Sequence, residues 1–203
     1  MSEDAKSYRV RPAGPRPDWS RAETQFLSPC AWSPNPPPSV SLQALWQPDA
    51  LLVRLCSDAP PTRAVNREPD SPVWQDSCLE CFLGGEQGYY VNLEANANSA
   101  LLAAVGPNRL ERQPLVTREI FAPTVRSAPC EGGWEAGFTI SSGLLEANFG
   151  LSPEPGETLR ANFYACGDLT PRPYYASWSP VRTPAPDFHR PEFFGTLLLI
   201  GEE

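Results

Sequence analysis

Apolar and polar residues alternate along this chain in short stretches, and a period of two recurs almost from end to end. Residues 78–83 set Leu79, Cys81 and Leu83 on one face and Cys78, Glu80 and Phe82 on the other. Residues 134–140 put Trp134, Ala136, Phe138 and Ile140 opposite Glu135 and Thr139, and residues 159–165 put Leu159, Ala161, Phe163 and Ala165 opposite Arg160, Asn162 and Tyr164. Strands are also expected at 39–46 and 51–56, joined by the turn Gln47-Pro-Asp49, and at 89–95, 101–105, 174–178 and 195–200. A single short helix is expected from Ser142 as N-cap through Asn148, closed by Gly150. About ten strands with turn signals every 8–15 residues read as an all-β sandwich. No composition break or internal repeat divides the chain, so residues 1–203 are expected to form one domain, with a loose tail over about 1–6.

Composition sharpens this picture. There are 25 prolines in 203 residues, more than twice the usual ~5%. Proline removes a backbone donor and breaks helices, which suits short strands joined by rigid turns. The Pro-rich pieces at 35–38, 59–61 and 180–191 read as loops rather than linkers. The net charge is −8, which disfavours nucleic acid and anionic membrane surfaces, both of which recruit Lys and Arg clusters. A neutral or cationic partner fits better. No apolar run approaches the ~20 residues of a membrane-spanning helix, and the first residues are charged rather than apolar, so a cytoplasmic location is expected.

In that setting the six cysteines read as reduced, buried thiols. Cys78 and Cys81 have CxxC spacing, but on a strand they point to opposite faces and do not form a redox or zinc pair. His189 is the only histidine and lies in Pro186-Asp-Phe-His-Arg-Pro191, with no nucleophile motif beside it; a loop-pinning role is expected. Trp74 and Trp178 sit in turn-rich segments, where an indole face can stack on the C–H face of a sugar ring, or can pack the core instead. Asp76, Glu80, Asn92, Glu94, Asn96 and Asn162 would supply directional hydrogen bonds to sugar hydroxyls.

These residues resemble carbohydrate-binding module family 9 domains. The resemblance lies in Pro72-Val-Trp74-Gln-Asp76-Ser-Cys-Leu-Glu80-Cys-Phe-Leu83, Tyr90-Val-Asn92-Leu-Glu94-Ala-Asn96, Arg160-Ala-Asn162-Phe-Tyr164-Ala-Cys-Gly-Asp168, Trp178-Ser-Pro-Val, and Pro186-Asp-Phe-His-Arg-Pro-Glu192-Phe-Phe-Gly195. It runs in order over roughly residues 30–200. It implies an immunoglobulin-like antiparallel β-sandwich that binds a neutral saccharide without catalysis, with bound Ca²⁺ supporting the fold and no other cofactor. It further implies that Trp74 and Trp178 clamp a terminal sugar ring and that Glu80 is an acidic hydrogen-bonding residue. Asn92 and Glu94 lie on the strand that supplies further polar contacts, where the family's sugar binders prefer Arg and Asn. Tyr175 replaces an expected Asn three residues before the second tryptophan.

Two other readings stay open on the residues themselves. A glycosidase would use Glu80 with Asp76 or Glu94 as its carboxylates. A module recognising protein through its Pro- and aromatic-rich loops would form a stable complex or a homodimer.

Overall fold

The computed structural model describes residues 6–85, 88–115 and 123–202. The elements are β1 (Ser7–Pro12), β2 (Gln25–Phe26), β3 (Ser28–Pro29), β4 (Val40–Gln47), β5 (Ala50–Ser57), β6 (Cys78–Gly84), β7 (Tyr90–Asn96), β8 (Leu101–Gly106), β9 (Gln113–Pro114), β10 (Thr124–Cys130), β11 (Gly133–Ser141), α1 (Ser142–Phe149), β12 (Thr158–Cys166), β13 (Tyr175–Ser177) and β14 (Gly195–Leu199). The protein is all-β, with one α-helix among the described residues. Among the described residues there are fourteen strands, ten of them five residues or longer.

They form one continuous, curled, mixed sheet in the order β10-β11-β5-β4-β1-β14-β12-β6-β7-β8-β9. β1 is the seam. Its first part runs parallel to β14, with Tyr8 opposite Leu197, and its last two residues run parallel to β4, with Arg11 opposite Leu45. The seam therefore departs from a purely antiparallel sandwich. The sheet curls so that both arms cover one core: Val40, Leu42, Val53, Leu55, Trp134 and Phe138 from one arm meet Leu79, Cys81, Leu93, Ala161 and Phe163 from the other. The alternation read from the sequence produces this face directly.

The second arm has an additional property. Every residue of β6 and β7 is buried, so both faces of those strands are covered. The core covers one face; loops and their aromatic residues roof the other, where Phe82, Tyr90, Tyr164, Val181 and Phe194 cluster with Trp32, Phe188 and Phe193 beside them. That roofed outer face carries the site.

The helix begins one residue earlier than expected. Ser141, not Ser142, is the N-cap, its hydroxyl accepting from Leu144 N–H, and Gly150 closes the helix in the left-handed conformation. The loose tail expected over 1–6 falls outside the described residues except at Lys6. There the carbonyl accepts from Thr196 N–H and the ammonium donates to Phe26 O at 3.2 Å, so Lys6 is tied to the sheet. No helix among the described residues is long and apolar enough to cross a membrane.

Candidate functional site

The outer face of the second arm is polar where it would ordinarily be solvated. Glu80 on β6 lies directly opposite Glu94 on β7, and Tyr164 on β12 lies opposite Glu80 on its other side. Five loops contribute to the walls over this floor and leave a cleft with about 560 Å³ of empty space, its open mouth included. Trp32, Trp74, Tyr175 and Phe188 supply its aromatic walls. Glu80, Glu94, Arg109, Arg112, Asp168 and His189 supply its charged and polar groups.

Each wall is held by backbone contacts. Trp74 sits on a single 3-10 turn, Val73–Gln75, anchored by the fully buried Val73. Its carbonyl accepts from Asp168 N–H at 3.3 Å, and Gln75 O accepts from Leu169 N–H at 3.0 Å, which ties the turn to the loop carrying Asp168. Tyr175 N–H donates to Ser33 Oγ at 2.9 Å and Cys30 N–H donates to Tyr175 O at 3.0 Å, which fixes the Trp32 loop against β13. The Trp32 and Tyr175 rings meet edge-on at 5.0 Å, while Phe188 stacks on Tyr164 at 4.1 Å. The indoles of Trp32 and Trp74 are half-buried, each leaving surface for a ligand.

The floor is electrostatically unusual because two carboxyls share a buried site. Burial, then the proximity of Glu94, drives the Glu80 carboxyl well above the usual carboxylate range. Burial also pushes Glu94 up to about 7, with Arg112 and the Asn92 amide pulling it back. Asn92 Nδ2 donates to Glu94 Oε1 at 2.9 Å, and Arg112 Nη1 lies 3.8 Å from the same oxygen. The Cys166 thiol donates to Glu80 Oε1 at 3.0 Å. Burial and the neighbouring Glu94 both favour the protonated form of Glu80, in which the carboxyl can donate as well as accept, and that suits a hydroxyl ligand. Burial raises the Asp168 carboxyl, opposed by the Tyr175 hydroxyl and Arg109. Burial, Arg112 and Arg109 push His189 down to about 3. It is therefore neutral, with Nδ1 2.9 Å from the Tyr90 hydroxyl, so it pins the loop against the floor, although its ring also lines the cleft.

Three buried polar atoms here lack a hydrogen-bond partner among the described residues: Trp32 Nε1, Arg112 Nη1 and Asn92 Oδ1. Buried polar groups are ordinarily paired. Two of the three belong to residues lining the cleft, where a ligand's hydroxyls would complete them.

Of the eight residues proposed from the sequence, Trp74, Glu80 and Glu94 line this cleft, and Asn92 orients Glu94 from beside it. The other four are structural. Trp178 is fully buried in the core, its ring edge-on to Phe163 at 5.6 Å and its Nε1–H donating to Gln25 Oε1 at 2.6 Å. It cannot face a sugar. The reason is strand phase: β13 brings Trp178 over the core, with its N–H bonded to Phe163 O, whereas Tyr175 is turned toward the cleft. Asp76 is fully buried and accepts from Val65 N–H, Asn66 N–H, Asn66 Nδ2 and Asn96 Nδ2, with Arg63 Nε 3.0 Å away. Burial works to raise its carboxyl, and the hydrogen bonds from Asn66, Asn96 and Val65 outweigh it and hold it below its ordinary range. It organises the loop between β5 and β6. Asn96 joins that network and accepts from Asn98 and Ala100 N–H, closing the turn after β7. Asn162 donates to Ser179 O and accepts from Ser179 N–H, pinning the chain beyond Trp178.

The sequence reading missed Trp32, Arg109, Arg112, Asp168 and Phe188 as cleft residues, and assigned Tyr175 and His189 no ligand contact. Arg109 and Arg112 flank a short Asn108-initiated turn, in which Asn108 Oδ1 accepts from Leu110 and Glu111 N–H.

The clustered donors do not suit the calcium that the resemblance implies. Among the described residues, Cys78, Glu80 and Cys166 bring their ligand atoms within 4.8 Å of one another. Calcium takes about six to eight oxygen ligands, so a set with two thiols does not suit it. Asp76 Oδ2 accepts from Val65 and Asn66 N–H and from the Asn66 and Asn96 amides, and its Oδ1 faces the Arg63 guanidinium at 3.0 Å, so a cation there would meet a like charge. Its place in that network also removes Asp76 as an acid/base partner.

A loop-roofed β-sheet with an aromatic-walled, polar-floored cleft defines a ligand-binding module. The chain belongs to carbohydrate-binding family 9, whose sequence profile matches residues 17–199. A Bacteroides uniformis protein inferred to bind carbohydrate has a similar structure, with a TM-score of 0.82, 27% identity, and coverage of 98% of this chain and 100% of that one. A family 9 module from Caldicellulosiruptor kristjanssonii in complex with cellotriose matches with a TM-score of 0.69 at 16% identity, over 98% of this chain and 95% of that one. The same organism's family 9 module in complex with glucose gives 0.70 at 16% identity, over 98% and 97%. No curated protein sequence matches the chain.

Proposed function

We propose that this protein is a non-catalytic carbohydrate-binding protein that holds one neutral sugar ring in the cleft, stacked on Trp74. The observation that carries the reading is the pairing, in one cleft, of the half-buried indoles of Trp74 and Trp32 with buried polar atoms that lack a hydrogen bond, Trp32 Nε1 and Arg112 Nη1, the latter 3.8 Å from Glu94. An indole presents a rigid apolar face to the C–H face of a pyranose at small entropic cost. Glu80, Glu94 and Arg112 then offer a mixed donor and acceptor floor for its hydroxyls. The charges of Glu94 and Arg112 face each other, which favours an uncharged ligand.

Family membership and the glucose- and cellotriose-bound relatives support a sugar ligand. On this reading the two arms of the sheet act as the layers of an immunoglobulin-like sandwich, with β1 as their seam. The test is a titration of intrinsic tryptophan fluorescence with glucose, xylose, cellobiose, xylobiose and the corresponding alditols. A saturable change with a closed-ring sugar supports the proposal, and a flat response to the whole panel refutes it.

A further inference from the structure

Outside the cleft, on the other arm, two cysteines meet in a way the fold does not require. Cys56 on β5 and Cys130 at the end of β10 are separated in the sheet by β11, yet their Sγ atoms lie 2.7 Å apart. The register explains how. Leu55 of β5 and Trp134 of β11 face the core, so Cys56 and Gly133 face outward, and Cys130 pairs with Gly133 at the tip of the β10–β11 hairpin. Gly133 has no side chain, and a Cβ there would lie 2.0 Å from Ser57 O. The middle strand is thus pressed down at that point and leaves the path between the two sulfurs open. Both sulfurs lie 3.9 Å from Ser57 O, over the same peptide. Both cysteines are half-exposed, so a small oxidant can reach them.

We infer that Cys56 and Cys130 are a redox modification site, closing to an intramolecular disulfide that staples the edge strand β10 to β5. Their separation is inside the van der Waals contact of two sulfurs and close to the ~2.05 Å of an S–S bond. The oxidant is a low-molecular-weight disulfide. One cysteine sulfur attacks its S–S bond and expels a first thiol; the second cysteine sulfur attacks the mixed disulfide and expels another. Two electrons pass from the cysteines to the oxidant, and the two cysteine protons end on the two released thiols. Burial and the Cys130 sulfur push the Cys56 thiol up to about 12, so the exchange accelerates as the solution becomes alkaline.

The link would close a span of 74 residues that includes β6, β7 and β8 and therefore Trp74, Glu80, Glu94 and Arg112 of the cleft. β10 also holds the turn after β7, through Ser127 N–H to Ser99 Oγ at 2.8 Å and Ser127 Oγ to Asn96 O at 2.7 Å. Constraining so long a loop lowers the unfolding equilibrium constant by about 10³-fold and raises Tm by about 10 °C.

The experiment exposes the folded full-length protein to oxidised glutathione at mildly alkaline pH. Remaining thiols are trapped with N-ethylmaleimide, and tryptic peptides are mapped without reduction. Each of the peptides 55–63 and 127–160 carries one cysteine. The expected result is a cross-link between those two peptides, with a Tm gain that a reductant reverses and that Cys56→Ser and Cys130→Ser each abolish. Recovery of both peptides separately alkylated, links involving other cysteines instead, or a link without a Tm gain would each overturn the inference.

Discussion

Replacing the two tryptophans that the sequence treats as a pair should have opposite consequences. Trp178 is 0% exposed and packs between the arms of the sheet, so Trp178→Ala removes a whole buried indole at a cost of about 3–5 kcal/mol. It also removes the 2.6 Å hydrogen bond to Gln25, worth about 1 kcal/mol. In a chain of this size each kcal/mol shifts Tm by about 2–4 °C, so the melting transition should fall by about 10–20 °C. Trp74 is half-buried and its side chain makes no hydrogen bond among the described contacts, so Trp74→Ala should lower Tm by no more than about 5 °C. Sugar affinity should nonetheless fall about tenfold or more with the lost stacking surface. Differential scanning calorimetry and a sugar titration on each variant provide the two readouts. A Trp178→Ala protein that melts like the parent while losing sugar binding would refute the assignment of Trp178 to the core. A Trp74→Ala protein that unfolds would refute the assignment of Trp74 to the cleft wall.

The remaining perturbations test the floor and the supports of the cleft. Glu94 has its carboxyl raised from 4.5 to about 7, so between those values the unfolded chain binds fewer protons than the folded one, and this group's contribution to stability falls as pH rises through the window. Glu94→Gln should remove that loss, so its Tm advantage over the parent should grow from pH 4.5 to 7; a difference independent of pH would show that Glu94 is not buried as described. A Cβ at Gly195 would lie 2.5 Å from both Lys6 O and Trp178 Cζ3, so Gly195→Ala should cost about 1–3 kcal/mol, measured by urea unfolding. Unchanged stability would contradict the close approach of β14 to Trp178. Asp76→Ala leaves the Arg63 guanidinium and several N–H groups without their acceptor and should cost about 3–5 kcal/mol. Faster amide exchange at Val65 and Asn66 is expected with it, and protection equal to the parent's there would count against the loop-organising role.

Period-two alternation was enough to locate β6, β7, β11 and β12, because each carries three or more apolar residues at the right spacing to meet the core. It missed β1, where only Tyr8 and Val10 face inward between arginines, and β10, an edge strand that leaves most of its side chains at least half-exposed. It also could not distinguish a strand covered on one face from one covered on both. Glu80 and Glu94 were recognisable as ligand candidates by type, but their opposition across β6 and β7 is a matter of register, which residue type does not reveal. Trp178 was misplaced for a related reason. Tyr174, Tyr175 and Trp178 all suit an aromatic wall, and the phase of β13 turns Tyr175 toward the cleft and Trp178 into the core. Asp76, Asn96 and Asn162 look like sugar ligands in sequence because buried amides and carboxylates that bind backbone use the same residue types. Trp32 was missed because its wall position depends on Tyr175, 143 residues away in sequence, against which its ring packs at 5.0 Å.

The most direct measurement is a crystal structure of the protein grown with saturating glucose or cellobiose. The account predicts one sugar ring in the cleft, its C–H face on Trp74 and its hydroxyls within hydrogen-bonding distance of Arg112 and Glu94. A ring bound elsewhere on the surface, or a cleft that excludes sugar from a protein shown to bind it in solution, would contradict the account.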